Sequence, residues 1–77
     1  MEDWTERIVV DSKILVGKPV VKGTRISVEL IIDLLARGYS REQILDQYDH
    51  LTVADVQACL AYASETLRSE RVYALPR

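Results

Sequence analysis

Hydrophobic and polar positions change rhythm once along this chain, near residue 28. Before that point the apolar residues come in short β-branched runs. These are Ile8-Val9-Val10, Ile14-Leu15-Val16 and Val20-Val21, parted by Asp11-Ser12 and by Gly17. Short β-branched runs bounded by turn residues predict strands, and Pro19 holds Lys18 in an extended conformation. Lys22-Gly23, between Val20-Val21 and Thr24-Arg25-Ile26, predicts a tight turn in which glycine takes a positive φ. The pattern gives a β element over 7–28, a small hairpin or hooked strand pair. A pair of this size is marginal in water and must lie on the helices or on another chain.

From Val28 onward the period is helical. The first helix is expected over 28–37, with Ser27 as N-cap and Glu29 complementing the positive helix end. Val28, Leu30, Ile31, Ile32, Leu34 and Leu35 give it a broad apolar face, the mark of a central helix. Arg37 followed by Gly38 supplies its stop. The second helix is expected over 41–48: Ser40 and Gln43 form a capping box, and Tyr39 can staple to Ile44. After Asp49-His50-Leu51, Thr52 caps a third helix over 53–70, with Leu51 placed to staple to Val56. Val53, Val56, Leu60, Ala63 and Leu67 follow one another at spacings of 3, 4, 3 and 4, a heptad-like stripe backed by Ala54, Ala58 and Ala61. Residues 71–77 form a short tail. The expected architecture is a mainly α, three-helix, helix-turn-helix-like (homeodomain-like) core with a short N-terminal β hairpin or strand pair, as one domain over 1–77.

Size sharpens this picture. Seventy-seven residues bury only about 60–65% of their unfolded surface, and domains this small draw on disulfides, metals or self-association. One cysteine and one histidine remove the first two remedies, so a homodimer is expected. No cofactor is implied. Met1-Glu2-Asp3-Trp4 is acidic where a secretory leader would be basic, and no apolar run is long enough to span a bilayer. A lone thiol fits a reducing compartment. The expected location is the cytoplasm, away from membranes.

Charge is unevenly spread around a formal net value of −2. Residues 12–28 carry Lys13, Lys18, Lys22 and Arg25 and no acid. Residues 29–65 carry Glu29, Asp33, Glu42, Asp46, Asp49, Asp55 and Glu65 against only Arg37 and Arg41. The cations stand before the helices, and the helices are acidic.

Candidate chemistry is sparse. His50 lies in a polar connector with no nucleophile fixed near it in sequence, and Cys59 lies mid-helix among small and apolar residues, where a buried structural thiol is the ordinary case. No glycine loop has phosphate-loop spacing, and no carboxylate pair comes with a metal-ligand set. No catalytic residue and no metal ligand are expected, and the chain reads as a binding module. In a helix-turn-helix reader, the start of the third helix would enter the major groove. Here that start offers Thr52, Val53, Asp55 and Gln57 without a lysine or arginine, although phosphate contacts supply most DNA affinity. The other candidate surface is the basic stretch. Lys18, Lys22 and Arg25 alternate with Val20-Val21 and Ile26, so cations can project from a short ribbon toward nucleic acid or an acidic protein.

The block Gly17-Lys18-Pro19-Val20-Val21-Lys22-Gly23-Thr24-Arg25-Ile26-Ser27-Val28 resembles the small bacterial family known as domain of unknown function 433. Leu35-Ala36-Arg37-Gly38-Tyr39-Ser40, Tyr48-Asp49-His50-Leu51-Thr52 and Ala58-Cys59-Leu60-Ala61-Tyr62-Ala63 agree with it, and the likeness covers roughly residues 7–67. The resemblance implies a helix-turn-helix-like, commonly homodimeric domain. It is similar to the antitoxin half of type II toxin–antitoxin pairs whose toxin looks like a PIN-type ribonuclease. In such a nuclease clustered carboxylates hold catalytic Mg²⁺. An arginine can pair with those carboxylates bidentately and displace metal or substrate. Arg25, or Arg68, Arg71 and Arg77 near the C-terminus, are the candidates for that role; the acidic helices could instead mimic an RNA backbone. Antitoxins of this kind often repress their own promoter, so a DNA-binding regulator is the alternative function, and a plain dimeric interaction domain is the third.

Overall fold

The computed structural model describes residues 4–69. It is a mainly helical domain of three helices with a two-stranded antiparallel sheet near the N-terminus. A short 3₁₀ turn, Trp4–Glu6, leads into strand β1, Ile8–Val10. Strand β2, Pro19–Val21, returns beside it with Ile8 opposite Val21, Val9 opposite Val20 and Val10 opposite Pro19. Proline sits at the first position of its strand, where a missing N–H does least harm to a ladder. On its other side β2 makes one bridge, Val20 to Ser27, so the chain hooks around before the first helix begins.

The connection between the strands departs from the apolar pattern. Ile14-Leu15-Val16 suggests extended chain, yet Leu15–Gly17 form a single 3₁₀ turn. Leu15, Val16 and Gly17 have φ of 49°, 55° and 82°. Leucine and valine rarely adopt left-handed backbone, because Cβ crowds the following carbonyl. Val16 is also 96% exposed. Its β-branch, which signals a strand in sequence, buries nothing.

Helix α1, Val28–Ala36, begins at Ser27, whose hydroxyl accepts from the Leu30 N–H. It ends at Arg37, with Gly38 beyond it at φ +97°. Helix α2, Arg41–Gln47, carries the expected capping box. The Gln43 N–H donates to the Ser40 hydroxyl, and the Ser40 N–H donates to the Gln43 side chain. Helix α3, Val53–Ser69, is the longest and packs against α1, α2 and β1.

The core gathers Ile8, Val20 and Val21 from the sheet, Val28 and Ile31 from α1, and Ile44 from α2. Leu51, Val56, Ala58 and Cys59 complete it. Ile31 and Ile44 are fully buried, and truncating either to alanine would cost about 2–5 kcal/mol. That is a large fraction of what a domain this size possesses.

The heptad-like stripe of α3 does not enter the core as a unit. Val56 is fully buried, but Val53, Leu60 and Leu67 are 51%, 38% and 65% exposed. The buried face is instead Asp55, Val56, Ala58 and Cys59, with Tyr62 packed against its edge. Trp4 closes one end of this face. Its ring meets Tyr62 edge-on at 4.8 Å, and its indole N–H donates to Glu65 at 3.2 Å.

Candidate partner-binding site

The basic stretch is shaped by backbone before it offers charge. Val21 to Thr24 is a β-turn, closed by the Thr24 N–H donating to the Val21 carbonyl at 3.0 Å. Lys22 takes its second position and Gly23 its third, at φ +81°, which is the place a type II turn reserves for glycine. Thr24 then fixes the exit. Its hydroxyl donates to the Val21 carbonyl at 2.8 Å and accepts from the Ile26 N–H at 3.0 Å. The Lys22 N–H donates to the Arg7 carbonyl, and the Val21 N–H to the Ile26 carbonyl. Val20 and Val21 beneath are buried. These hydrogen bonds fix the backbone that carries Lys22 within the turn and Arg25 directly after it.

Lys22 and Arg25 are both exposed, and among the described residues neither enters an ion pair. Lys18 stands differently. Its ammonium lies 2.9 Å from the Glu29 carboxylate, so its charge is partly answered within the chain. Both partners are well exposed, and such a pair contributes little stability. The basic stretch thus resolves into one paired lysine and a tip of two unpaired cations.

The start of α3 is less available than its sequence suggests. Asp55 is 9% exposed. One carboxylate oxygen accepts from the Thr52 N–H at 3.0 Å, while the Thr52 hydroxyl accepts from the Asp55 N–H. This is a second capping box. The other carboxylate oxygen lies 3.1 Å from the Arg7 guanidinium. Asp55 is fully engaged inside the domain and cannot face DNA. Thr52, Val53 and Gln57 remain exposed, a neutral surface with nothing to neutralise phosphate. The spacing of Thr52 and Asp55 signals the capping box locally, but nothing in the sequence pairs Asp55 with a residue 48 positions away.

Arg68 is exposed and reaches back toward the Ser64 hydroxyl at 3.5 Å; Arg71 and Arg77 lie outside the described residues. His50 is exposed, 3.7 Å from Asp49. Cys59 is fully buried. Burial above all, and then the nearby charge of Asp55, push its thiol up to about 12. A thiol held protonated is a poor nucleophile. No group of three or more His, Cys, Asp or Glu among the described residues is placed to hold a metal ion. No helix among them is long and apolar enough to cross a membrane.

One further concavity lies between α1 and the second half of α3. It is an apolar groove of about 520 Å³, walled by Val28, Ile32 and Ala36 on one side and Tyr62, Ala63 and Leu67 on the other.

Comparison with known proteins agrees with the sequence block described above. The family model described as Protein of unknown function (DUF433) matches residues 8–63. The chain is also 75% identical over 24 residues to an uncharacterized protein of Archaeoglobus fulgidus, a match spanning 31% of this chain and 67% of that relative. No solved structure matches the chain. The family match runs from β1 into the second half of α3 and takes in the whole basic turn: the chain belongs to the DUF433 family.

Proposed function

We propose that this protein is a non-enzymatic binding module, an antitoxin that neutralises a PIN-like ribonuclease by offering cations to its carboxylate-lined mouth. The observation that carries this reading is the basic turn and the residue after it, where Lys22 and Arg25 are exposed and, among the described residues, unpaired, on a backbone fixed by Thr24. A nuclease mouth that binds Mg²⁺ through clustered carboxylates is an anionic target of matching kind. Arg25 can grip a carboxylate bidentately, and Lys22 adds a point charge beside it. Fixing the turn beforehand lowers the ordering cost on binding. The turn also lies inside the range matched by the family, 8–63, whereas Arg68, Arg71 and Arg77 lie beyond it, which favours the turn over the C-terminal arginines.

The alternative, a DNA-binding regulator working through α3, has less support. The exposed residues at the helix start are Thr52, Val53 and Gln57, and Asp55 is spent on Arg7 and the cap. If the protein does bind its promoter, the basic turn is the better contact. The test is to find whether the neighbouring reading frame encodes a PIN-like nuclease and to co-express the two. Relief of its toxicity by the native protein, lost on Lys22→Ala with Arg25→Ala, supports the antitoxin. Persisting toxicity with the native protein overturns it.

A further inference from the structure

The groove between α1 and the second half of α3 is apolar on both walls and carries acid on one. Val28, Ile32 and Ala36 face Tyr62, Ala63 and Leu67 across about 520 Å³, and the exposed Glu29 and Asp33 join the lining on α1. Leu67 is 65% exposed, so the described residues leave part of this wall in water. An open apolar groove between two helices suits a short apolar segment of chain.

Such a segment follows directly in the sequence. Helix α3 is described to Ser69, and residues 70–77, outside the described part, read Glu70-Arg71-Val72-Tyr73-Ala74-Leu75-Pro76-Arg77. Four apolar residues in a row stand between two arginines. Pro76 restricts Leu75 to extended backbone, and Val72 and Tyr73 are of the branched and aromatic kinds that extended chain favours.

We propose that residues 72–75 turn back from the end of α3 and fill the groove between α1 and α3 of their own chain. Length supports this occupant. The α1 wall, from Val28 to Ala36, is about 12 Å long at 1.5 Å per residue. Four extended residues span about 13 Å. Reach is sufficient as well. Leu67, two positions before Ser69, is part of the wall, and three residues of chain carry Val72 up to about 10 Å from Ser69.

Charge and side-chain alternation agree with it. Extended chain sends alternate residues to one side, so Arg71, Tyr73, Leu75 and Arg77 share a face. That face is apolar in its middle and cationic at both ends, against a groove that is apolar with carboxylates beside it. Glu29 and Asp33 already meet Lys18 and Arg37. Both pairs are exposed and hold little, and each carboxylate has a second oxygen to offer an arginine. Tyr73 and Leu75 are then the anchors, while Val72 and Ala74 face outward.

This inference does not depend on the antitoxin reading, and its test needs no nuclease. Nuclear magnetic resonance of the 77-residue chain should show Overhauser contacts from the Tyr73 ring to the methyls of Ile32 and Leu67. A sample mixing isotope-labelled with unlabelled chains should show the same contacts within one chain and none between chains. Tyr73→Ser with Leu75→Ser should lower the melting temperature by about 4 °C or more. Val72→Ser with Ala74→Ser should lower it by less than half as much. Absence of the Tyr73 contacts overturns the proposal. So do contacts seen only between differently labelled chains, which give the groove to a second copy, and so do equal effects of the two double variants.

Discussion

The guanidinium of Arg7 lies 3.1 Å from the carboxylate of Asp55, joining the residue before β1 to the first turn of α3. This pair explains why an acidic residue occupies a buried position at the start of a helix. The carboxylate faces the positive helix end, accepts from the Thr52 N–H and meets a cation, three favourable terms for one desolvated charge. It also decides a functional question, since the same residue cannot then be part of a DNA-reading surface.

Asp55→Ala should therefore cost about 2–3 kcal/mol, combining the loss of a cap with the loss of a part-buried charge-assisted contact to Arg7. Arg7→Ala should cost less, about 1 kcal/mol, because Arg7 is itself 39% exposed and water replaces part of the interaction. Thermal unfolding checks both: each kcal/mol corresponds to about 4–8 °C in a domain of this size. The double variant should cost less than the sum of the single ones, since the two share one interaction.

Val16 holds left-handed backbone at 96% exposure with no burial in return. Val16→Gly should stabilise the domain by about 0.5–1 kcal/mol, since the relief of strain outweighs glycine's greater unfolded-state freedom. A denaturant midpoint that moves up without a change in slope would match this expectation.

The thiol of Cys59, pushed from 9.0 to about 12 by burial and by Asp55, makes a prediction with a definite sign. The folded state keeps its proton at pH values where the unfolded chain has lost it. Unfolding then releases a proton, and stability falls as pH rises through the window from about 9 to about 12. In the native protein at pH 8, Cys59 should resist a thiol reagent that modifies it fully once the chain is unfolded.

What was legible in the sequence follows the range of each interaction. Ser27, Ser40 with Gln43, and Gly38 mark helix ends through contacts within a few residues, so their placement agrees with the structure. Gly23 marks its turn for the same reason. Leu15 and Val16 mislead because β-branched and apolar character describes what a residue tolerates, and here the backbone goes elsewhere. The α3 stripe misleads in another way. A seven-residue period says that a helix face is apolar, but not whether its own domain covers it; Val56 is covered, and Val53, Leu60 and Leu67 are not. Arg7 with Asp55, and Trp4 with Tyr62, join distant parts of the chain, where local pattern carries no information. Within the basic stretch, spacing groups Lys18 with Lys22 and Arg25, and only the fold separates the lysine that meets Glu29 from the two cations that meet nothing described.

The central claim is that the turn bearing Lys22 and Arg25 grips an acidic partner. It is tested most directly by measuring inhibition, on an RNA substrate, of a purified PIN-like nuclease taken from the neighbouring reading frame where that frame encodes one. The native protein and the Lys22→Ala, Arg25→Ala double variant are titrated at two salt concentrations, with circular dichroism confirming equal helicity. The account predicts inhibition by the native protein that weakens with salt and falls at least about tenfold in the variant, the scale of losing a charge-assisted contact. Equal inhibition by the two proteins would contradict it and leave Lys22-Gly23 as a turn and nothing more.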